Sequence, residues 1–440
     1  MVLILFILFF LFMAFNAPIS FSLGAASAIT AYLKGGASLI ILPQKIFTSL
    51  DSFPLLAIPL FILAGSFLET GGVGMRLVNL ANVLVRHVSG GLGFVVIVST
   101  IFFSEISGSS AADAAAIGSV TIPAMIRLRY QPAFATAIVA ASGGMAALIP
   151  PSIIGVIYGW QANASVGAIF LGGFLPGFIM GGGLCVYTYF YAKKMKFPTE
   201  TRATRGEVWL AFKESLPALI MPVIILGGIF TGVFTATEAA AVAVVYGFLV
   251  ALFYYRELKW QDIPRILVES AVTTGFVGLL LGLASVFGWV LTVEQAPLKL
   301  ANLILSVSTS QWVFLLLVNI LFLIAGCFLN ATAILIILVP ILLPMAQKFG
   351  VDLIHFGIIL IANLGIGYVT PPVGTCLYVA CGISKQPLAE VIKPLAPYLI
   401  VMVIMLMLIT YVPWISLVIP NLVYGKYGNR FSGKRRRPVG

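Results

Sequence analysis

A polar interruption in an apolar run is the first feature of this sequence that could do chemistry. It reads Ser104-Glu-Ile-Ser107-Gly108-Ser109-Ser110, followed by Ala111-Ala112-Asp113. Ser110 and Asp113 have the spacing of a capping box, which predicts a helix that starts at Ser110 or Ala111 with its N-terminal dipole directed at the interruption. An anion would be stabilised there. The alternative is that these side chains only satisfy the free N–H groups of a buried helix start.

A second polar interruption, Asn330 with Thr332, lies in another apolar run 221 residues after Ser109. A polar pair inside hydrocarbon costs free energy unless it has partners. We therefore interpret Asn330 and Thr332 as contacts for an ion or a substrate. A simple helix cap is the alternative.

Two double prolines, Pro150-Pro151 and Pro371-Pro372, interrupt apolar runs that are otherwise long enough to cross a membrane. Proline has no N–H to donate and clashes with the carbonyl one turn back, so two in succession force an unwound stretch. Carbonyl oxygens freed in this way are ligands for a hard cation such as Na⁺, and neighbouring glycines allow the backbones to approach closely. A kink that binds no ion is the alternative.

Together these features predict two overlapping sets of site residues. Substrate contacts are expected at Ser107, Ser109, Ser110, Asn330, Thr332, Pro150 and Thr370. Na⁺ is expected near Ser104, Ser107, Gly108, Gly144, Gly326, Asn330, Gly365, Gly367 and Thr370.

No enzyme is indicated, because the motifs H-E-x-x-H, G-x-x-x-x-G-K-[ST] and G-x-S-x-G are all missing from the sequence. We expect no catalytic residue. The two histidines, His87 and His355, lie beside segment ends and are expected at the membrane interface. The cysteines Cys185, Cys327, Cys376 and Cys381 show no metal-binding spacing and are expected to be small buried hydrophobes.

The elements that position these residues must be membrane helices. The chain is 61% hydrophobic and 9% charged, whereas soluble domains carry about 25% charged residues. Uncharged stretches such as Val166–Ala192, Leu216–Thr237 and Leu395–Pro420 are close to the ~20 residues that cross a bilayer. Met1–Leu33 contains no charge and is predicted to be a retained membrane segment rather than a cleaved signal. We predict an all-α, polytopic integral membrane protein.

The net charge of +11 has a membrane explanation as well. Basic residues cluster in short links, mainly Lys193–Lys213 and Arg256–Arg265, which is the positive-inside pattern of cytoplasmic loops. We therefore expect a lipid bilayer and no nucleic acid as the partner of these charges.

An internal repeat organises the chain. A shift of 221 residues carries Pro150-Pro151 onto Pro371-Pro372, Gly144 onto Gly365 and Pro123 onto Pro344, and a shift of 220 carries Leu80–Asn82 onto Leu300–Asn302. This divides residues 1–440 into a first repeat (45–165), scaffold or linking helices (166–264), a second repeat (265–385), and a C-terminal helix with a basic tail (386–440).

Each repeat is predicted to contain a re-entrant helical hairpin. The arm Leu92–Phe103 has 12 residues and rises only ~18 Å, which cannot span a ~30 Å hydrocarbon core. The second hairpin is predicted from Trp312–Phe328 and Ala333–Met345. Five crossings are expected between the hairpins, at Gly143–Trp160, Val166–Tyr191, Leu216–Phe234, Glu238–Tyr255 and Leu267–Leu291.

An odd number of crossings makes the second hairpin enter from the opposite face, as in inverted-repeat transporters whose substrate binds at the repeat interface. One feature conflicts with this topology. The crossing count places the basic tail Lys434–Arg437 outside, against the positive-inside pattern.

These motifs resemble those of the large membrane subunit of tripartite ATP-independent periplasmic (TRAP) transporters over nearly the whole chain. The matching strings are Ser107–Asp113, Leu148–Ser152, Gly228–Ala240 and Val369–Gly374. The resemblance implies a Na⁺-driven secondary transporter for carboxylates such as C4-dicarboxylates or sialic acids, working by an elevator mechanism in the cell inner membrane. It also implies two partners, which are a small four-helix membrane subunit as a separate chain and a periplasmic substrate-binding protein.

Two other functions stay open at this point. One is a stand-alone ion-coupled anion symporter or exporter that needs no binding protein. The other is a non-transporting membrane subunit of an energy-converting complex, for which the sequence offers few intramembrane Lys or Glu residues that could form a relay.

Overall fold

The computed structural model describes residues 1–34, 40–195, 197, 201–296 and 310–425. Within these ranges the regular structure is helical. The helices are α1 Val2–Ala14, α2 Ile19–Leu33, α3 Ile41–Leu50, α4 Ala57–Thr70, α5 Val73–Val85, α6 Gly91–Ser107, α7 Ser110–Arg127, α8 Pro132–Ala146, α9 Ile153–Gln161, α10 Val166–Met195, α11 Arg205–Phe230, α12 Ala236–Leu249, α13 Ile263–Val293, α14 Gln311–Phe328, α15 Ala331–Lys348, α16 Leu353–Gly367, α17 Thr375–Ser384, α18 Leu388–Tyr411 and α19 Pro413–Tyr424. Short 3₁₀ turns precede α4 and α13, and a π-turn, Val250–Tyr254, extends α12.

Eight of the described helices are long and apolar enough to cross a bilayer, namely α4 with its preceding turn, α10 to α15, and α18. The prediction of a polytopic all-α membrane protein is confirmed. The five crossings predicted between the hairpins are all helical, although the first begins earlier than expected, at Pro132, and is broken into α8 and α9.

The uncharged N-terminal stretch forms two short helices rather than one segment. α1 has 13 residues and α2 has 15, and the two pack against each other. The chain breaks between them because Asn16 adopts a left-handed conformation (φ 62°) and Pro18 has no N–H to continue a helix.

The repeat predicted from the sequence reappears in the order of the elements. A hairpin of α6 and α7 precedes the broken helix α8–α9, and a hairpin of α14 and α15 precedes the broken helix α16–α17. Ser109 and Asn330, which are 221 residues apart, each stand directly before the second hairpin arm. The opposite orientation of the two halves stays a prediction.

The first hairpin arm is longer than the sequence suggested. α6 continues to Ser107 instead of ending at Phe103, so it has 17 residues and the interruption shrinks to Gly108 and Ser109. The Ser104 hydroxyl stays within the helix by donating to the Ile101 carbonyl at 2.9 Å. The helix ends only at Gly108, whose φ of +65° favours glycine.

Each hairpin packs on a fragment of the other repeat. α7 lies against α17, and α15 lies against α9. In the second contact the side-chain amide of Gln161 donates to the Ile336 carbonyl at 3.0 Å. Pro340 has no N–H for that carbonyl, so a residue of the first half replaces the missing helical donor. The two halves are therefore interlocked.

The segment predicted as scaffold or linking helices, 166–264, does not pack as one body. α10 lies against α6, α8, α16, α18 and α19, whereas α11 packs on α5 and α12 packs on α4. The start of the predicted C-terminal region also belongs with the first group, because α18 packs on α8 and α10.

Some sequence-based expectations fall outside the described residues. These are the repeat match at Leu300–Asn302, the basic tail Lys434–Arg437, and part of the basic cluster Lys193–Lys213.

The two broken helices cross at a pair of glycines. A Cβ atom on Gly144 would lie 2.5 Å from the carbonyl oxygen of Gly365, and a Cβ on Gly365 would lie 2.5 Å from the carbonyl oxygen of Gly144. These glycines are equivalent at the 221-residue offset, and a reciprocal contact between equivalent residues is what a two-fold axis between them produces. The closeness of α8 and α16 depends on both lacking a side chain.

We expect Gly144→Ala to destabilise the protein by about 1–3 kcal/mol, since the methyl group would overlap the Gly365 carbonyl and the Val369 side chain. Thermal unfolding of the purified protein in detergent measures the effect. The matched control is Gly182→Ala on α10, where a Cβ would meet nothing within 4 Å. Equal unfolding temperatures for the two variants would contradict a tight crossing.

Candidate functional site

The tip of the first hairpin rests on the break of the first broken helix. The Gly108 carbonyl accepts a hydrogen bond from the Ile153 N–H at 3.2 Å. A Cβ on Gly108 would lie 3.3 Å from the Pro151 carbonyl oxygen, so the two backbones are nearly in contact. The second hairpin repeats the arrangement, because the Cys327 carbonyl accepts from the Val373 N–H at 3.2 Å. Each tip thus supplies partners to backbone groups that a break leaves free.

The serines of the first tip are bonded differently from the prediction. The Ser107 hydroxyl donates to the Asp113 carboxylate and also accepts from the Ser109 N–H at 3.1 Å. Ser109 is the residue before α7, Ser110 is the first residue inside it, and neither side chain caps the helix. The capping box predicted between Ser110 and Asp113 is therefore wrong. The left-handed turn at Gly108 brings Ser107 back to the carboxylate instead.

Asp113 has an unmet bonding requirement. Its side chain is 1% exposed, and its second carboxylate oxygen has no hydrogen-bond partner among the described residues. A buried ionised carboxylate with one hydroxyl partner is costly. A cation bound beside Asp113 would supply the missing partner. The sequence-based site did not include Asp113, because its spacing from Ser110 pointed to a cap.

The second tip is organised by Asn330. Its side-chain oxygen accepts from the Thr332 N–H at 2.9 Å, so the helix-cap alternative describes the contact that Asn330 makes here. In the neighbouring break, the Thr370 hydroxyl donates to the Ile366 carbonyl at 2.7 Å. Donation leaves the Thr370 oxygen able to accept.

A small cavity of about 10 Å³ lies between this tip and its break. That is room for about one water-sized particle. Its lining combines Asn330, Thr375 and three glycines with apolar side chains such as Leu329 and Ile334. The Thr375 hydroxyl oxygen is buried and has no hydrogen-bond partner within the described part of the chain. The cavity therefore has room for a single small cation, which its few neutral oxygens would have to hold.

Gly326 and Gly367 form one wall of this cavity. A Cβ on either glycine would lie 3.0 Å from the Cα of the other, so α14 and α16 touch through their backbones.

The structure sorts the predicted site residues into three places. The first tip and break hold Ser104, Ser107, Gly108, Ser109, Ser110 and Pro150. The second tip and break hold Gly326, Asn330, Thr332, Gly367 and Thr370. Gly144 and Gly365 form the crossing between them. Sequence reasoning missed Thr375, for which the only signal was its position directly after the double-proline string.

Two larger cavities do not offer comparable chemistry. One of about 740 Å³ is lined by residues such as Arg76, Lys213 and Glu257, but the Arg76 guanidinium is paired with Glu257 at 2.6 Å. The other, of about 550 Å³, is apolar and lies between α1 and the second hairpin, with Phe9 and Phe328 in its wall. Neither is lined by the hairpin serines or by Asn330.

His355 lies in the protein interior, and its predicted position at the membrane interface stays a prediction. His355 is 2% exposed, with one ring nitrogen 3.1 Å from the Thr410 carbonyl oxygen and the other 3.3 Å from the Ser416 hydroxyl. It lies in the first turn of α16, and this helix start is covered by α18 and α19. Of the four cysteines only Cys376 is buried, and the other three are partly exposed.

Comparisons with known proteins point to one family. The family described as tripartite ATP-independent periplasmic transporter, DctM component, matches residues 6–415. The chain is 43% identical over 415 residues to the isethionate TRAP transporter permease protein DctMQ of Oleidesulfovibrio alaskensis, covering 94% of this chain and 65% of that protein. It is 42% identical to the C4-dicarboxylate TRAP transporter large permease protein DctM of Pseudomonas aeruginosa, covering 91% of this chain and 94% of that one.

A third relative is the sialic acid TRAP transporter large permease protein SiaM of Vibrio cholerae, at 39% identity with 93% of this chain and 96% of that protein covered. Among solved structures, the YdaH transporter of Alcanivorax borkumensis superposes with a TM-score of 0.64 at 16% identity. The match covers 94% of this chain and 99% of that one, and at this identity it supports the fold alone.

We expect Thr375→Val to leave the unfolding temperature in sodium-free buffer unchanged or slightly higher, because the hydroxyl it removes has no partner. The control is Thr410→Val, which removes an oxygen that accepts from the Asn319 amide at 3.0 Å and should cost about 1–3 kcal/mol. Thermal unfolding of both purified variants tests this. An equal loss at Thr375 would show that its hydroxyl is bonded within the protein.

Proposed function

The chain belongs to the DctM component family of tripartite ATP-independent periplasmic transporters, the large permeases, and from that premise we propose that it is a Na⁺-coupled importer of a small carboxylate. The substrate would be delivered by a periplasmic substrate-binding protein. The protein would work in the cell inner membrane beside a small four-helix membrane subunit on a separate chain.

The observation that carries Na⁺ coupling is the unpartnered oxygen of Asp113 at the start of α7. The N-terminus of a helix acts as about half a positive charge and attracts an anion. Asp113 lies in the first turn of the same helix, and in its ionised form it opposes that attraction with a negative charge. A Na⁺ ion beside Asp113 removes the repulsion, so carboxylate binding at the tip becomes favourable only after Na⁺ has bound.

The second tip supports the same proposal with different chemistry. No acidic residue lies in the first turn of α15, and the cavity beside Asn330 and Thr375 offers only neutral oxygens. A cation held there would add positive charge next to the N-terminus of α15. Two bound cations and two helix N-termini would each attract an anion.

The arginine of α7, Arg127, is too far from the tip to replace these elements. Arg127 is the last residue of α7, 17 residues beyond Ser110, which is about 25 Å along the helix. Affinity for free substrate should therefore be weak, and high affinity would reside in the binding protein. The names of the relatives include C4-dicarboxylate and sialic acid, which are carboxylates, and isethionate, which is a sulfonate. All three are small organic anions.

We assign the transport motion to an elevator movement. The hairpins, the broken helices, α10 and α18 pack on one another, and α11 and α12 pack with α5 and α4, which in turn pack on the hairpin arm α6. The first of these sets carries both candidate cation sites and would move against the second. The alternative is a stand-alone anion symporter or exporter, which would transport at the same rate in liposomes that contain this chain without the two partners.

Sodium dependence has a direct test. Reconstituted with its partners, the protein should take up labelled carboxylate faster as the inward Na⁺ gradient rises, because Na⁺ must neutralise Asp113 before the anion binds. The measurement compares Na⁺ with K⁺ on both sides while the pH gradient is clamped. Uptake that is the same in both salts would end the proposal.

Ser110→Asp should reduce uptake by at least tenfold, since it adds a second carboxylate to the helix start that receives the anion. Ser110→Asn has nearly the same shape without the charge and should retain more uptake. A further control is Ser119→Asp, an exposed position on the same helix. If Ser110→Asp transports like Ser119→Asp, the anion binds elsewhere.

A further inference from the structure

A buried pair of amides joins the second hairpin to the second broken helix. The Asn363 side chain on α16 donates to the Asn319 side-chain oxygen on α14 at 2.7 Å, and both residues are 0% exposed. The Asn319 amide in turn donates to the Thr410 hydroxyl on α18 at 3.0 Å. The chain of hydrogen bonds connects three helices, and none of its members was part of the candidate site.

The amide pair lies on the same helix contact as the small cavity. Along α14, Asn319 precedes Gly326 by seven residues, which is about two turns. Along α16, Asn363 precedes Gly367 by four residues, which is about one turn. Residues at these spacings share a helix face. The amides and the glycine contact are therefore successive contacts of one pair of helices.

The glycine contact has no directional bond of its own. Gly326 and Gly367 meet through backbone atoms only, and close packing of this kind does not fix how far one helix slides along the other. A hydrogen bond between two short, fully buried side chains does fix it, because the donor and acceptor must stay within about 3 Å.

The fold itself does not require the amides. At the 221-residue offset, Asn319 corresponds to Val98 on α6 and Asn363 corresponds to Ser142 on α8. α6 and α8 also pack together, yet the Ser142 hydroxyl donates to its own helix, to the Ile138 carbonyl at 2.8 Å. The first half makes the equivalent helix contact without a side-chain bond across it.

We propose that Asn319 and Asn363 are positioning residues for the cation cavity at the second tip. They do not touch the ion. Their bond fixes the register of α14 against α16, and this register sets the distance between Gly326 and Gly367 and the opening beside Asn330. The proposal rests on the proposed function, since it takes the ion in this cavity to be Na⁺.

The third member of the chain is itself held in place. The Thr410 carbonyl lies in the last turn of α18, and Pro413 cannot continue that helix. One ring nitrogen of His355, on α16, lies 3.1 Å from this carbonyl oxygen. Since a carbonyl only accepts, His355 donates here and joins α16 directly to α18. The amides thus connect the hairpin arm to a braced pair of helices.

The test gives the second half the residues that the first half has at the equivalent positions. The variant Asn319→Val/Asn363→Ser places the residues of Val98 and Ser142 at the equivalent positions, with its partners present in liposomes. The Na⁺ concentration for half-maximal uptake should rise about three- to fifteenfold, the range expected for losing an interhelical hydrogen bond in a membrane protein. The maximal rate at saturating Na⁺ should stay within about twofold. Ser142→Ala is the control and should leave both values unchanged.

A second readout separates positioning from simple stabilisation. Na⁺ should raise the unfolding temperature of the purified protein, and the Na⁺ midpoint of that rise should shift upward in the variant. A variant that unfolds earlier in K⁺ but keeps the wild-type Na⁺ midpoint overturns the proposal, as does an unchanged half-maximal Na⁺ in uptake. If the double variant does not fold, Asn363→Leu alone is measured by the same criteria. Wild-type uptake that does not depend on Na⁺ would contradict the proposed function itself, and it would contradict this inference as well.

Discussion

The structure depends on one constraint, which is that no backbone polar group in hydrocarbon can be left without a partner. The two helix breaks release such groups in the interior of the protein. The hairpin tips form hydrogen bonds with these groups. The Ile153 N–H donates to the Gly108 carbonyl, and the Val373 N–H donates to the Cys327 carbonyl. A tip without a break, or a break without a tip, would leave these groups unpaired. The candidate site is located where the two irregular elements satisfy each other.

The repeat duplicates backbone geometry and leaves the chemistry free to differ. At the 221-residue offset, Asp113 corresponds to Ile334, and Thr375 corresponds to Ile154. The first tip therefore carries a buried carboxylate that the second does not have, and the second break carries an unpartnered hydroxyl, whereas the buried Ser152 hydroxyl of the first break accepts from the Gly155 N–H. The two tips have similar backbones, but the first offers a carboxylate and the second offers only neutral groups. For this reason, residues identified by matching the two halves indicate the shared backbone geometry better than they indicate the ion-binding groups of each tip.

The sequence predicted those parts of the fold that follow from local backbone chemistry. Double prolines and glycines act on their own backbone, so both breaks, and close backbone approach at the glycines beside them, could be anticipated from spacing alone. The capping box between Ser110 and Asp113 was predicted wrongly, because the left-handed turn at Gly108 brings Ser107 to the carboxylate instead. The burial of His355 was not predicted, because the two helices that cover it follow by more than thirty residues. A contact of that kind has no local signal.

The exchange of partners between the halves also has a consequence for how the chain is made. α7 packs on α6 and α8, but part of its cover comes from α17, which begins at Thr375, about 250 residues after α7 ends. At roughly 5–20 residues per second, a ribosome needs about 10–50 s to supply that segment. During this time the surface of the first hairpin that α17 later covers stays without its partner, although Asp113 lies in this hairpin. We expect it to remain beside the insertion machinery or another holding factor until the second half arrives, so nascent chains cut short before α17 should be early substrates for membrane quality control.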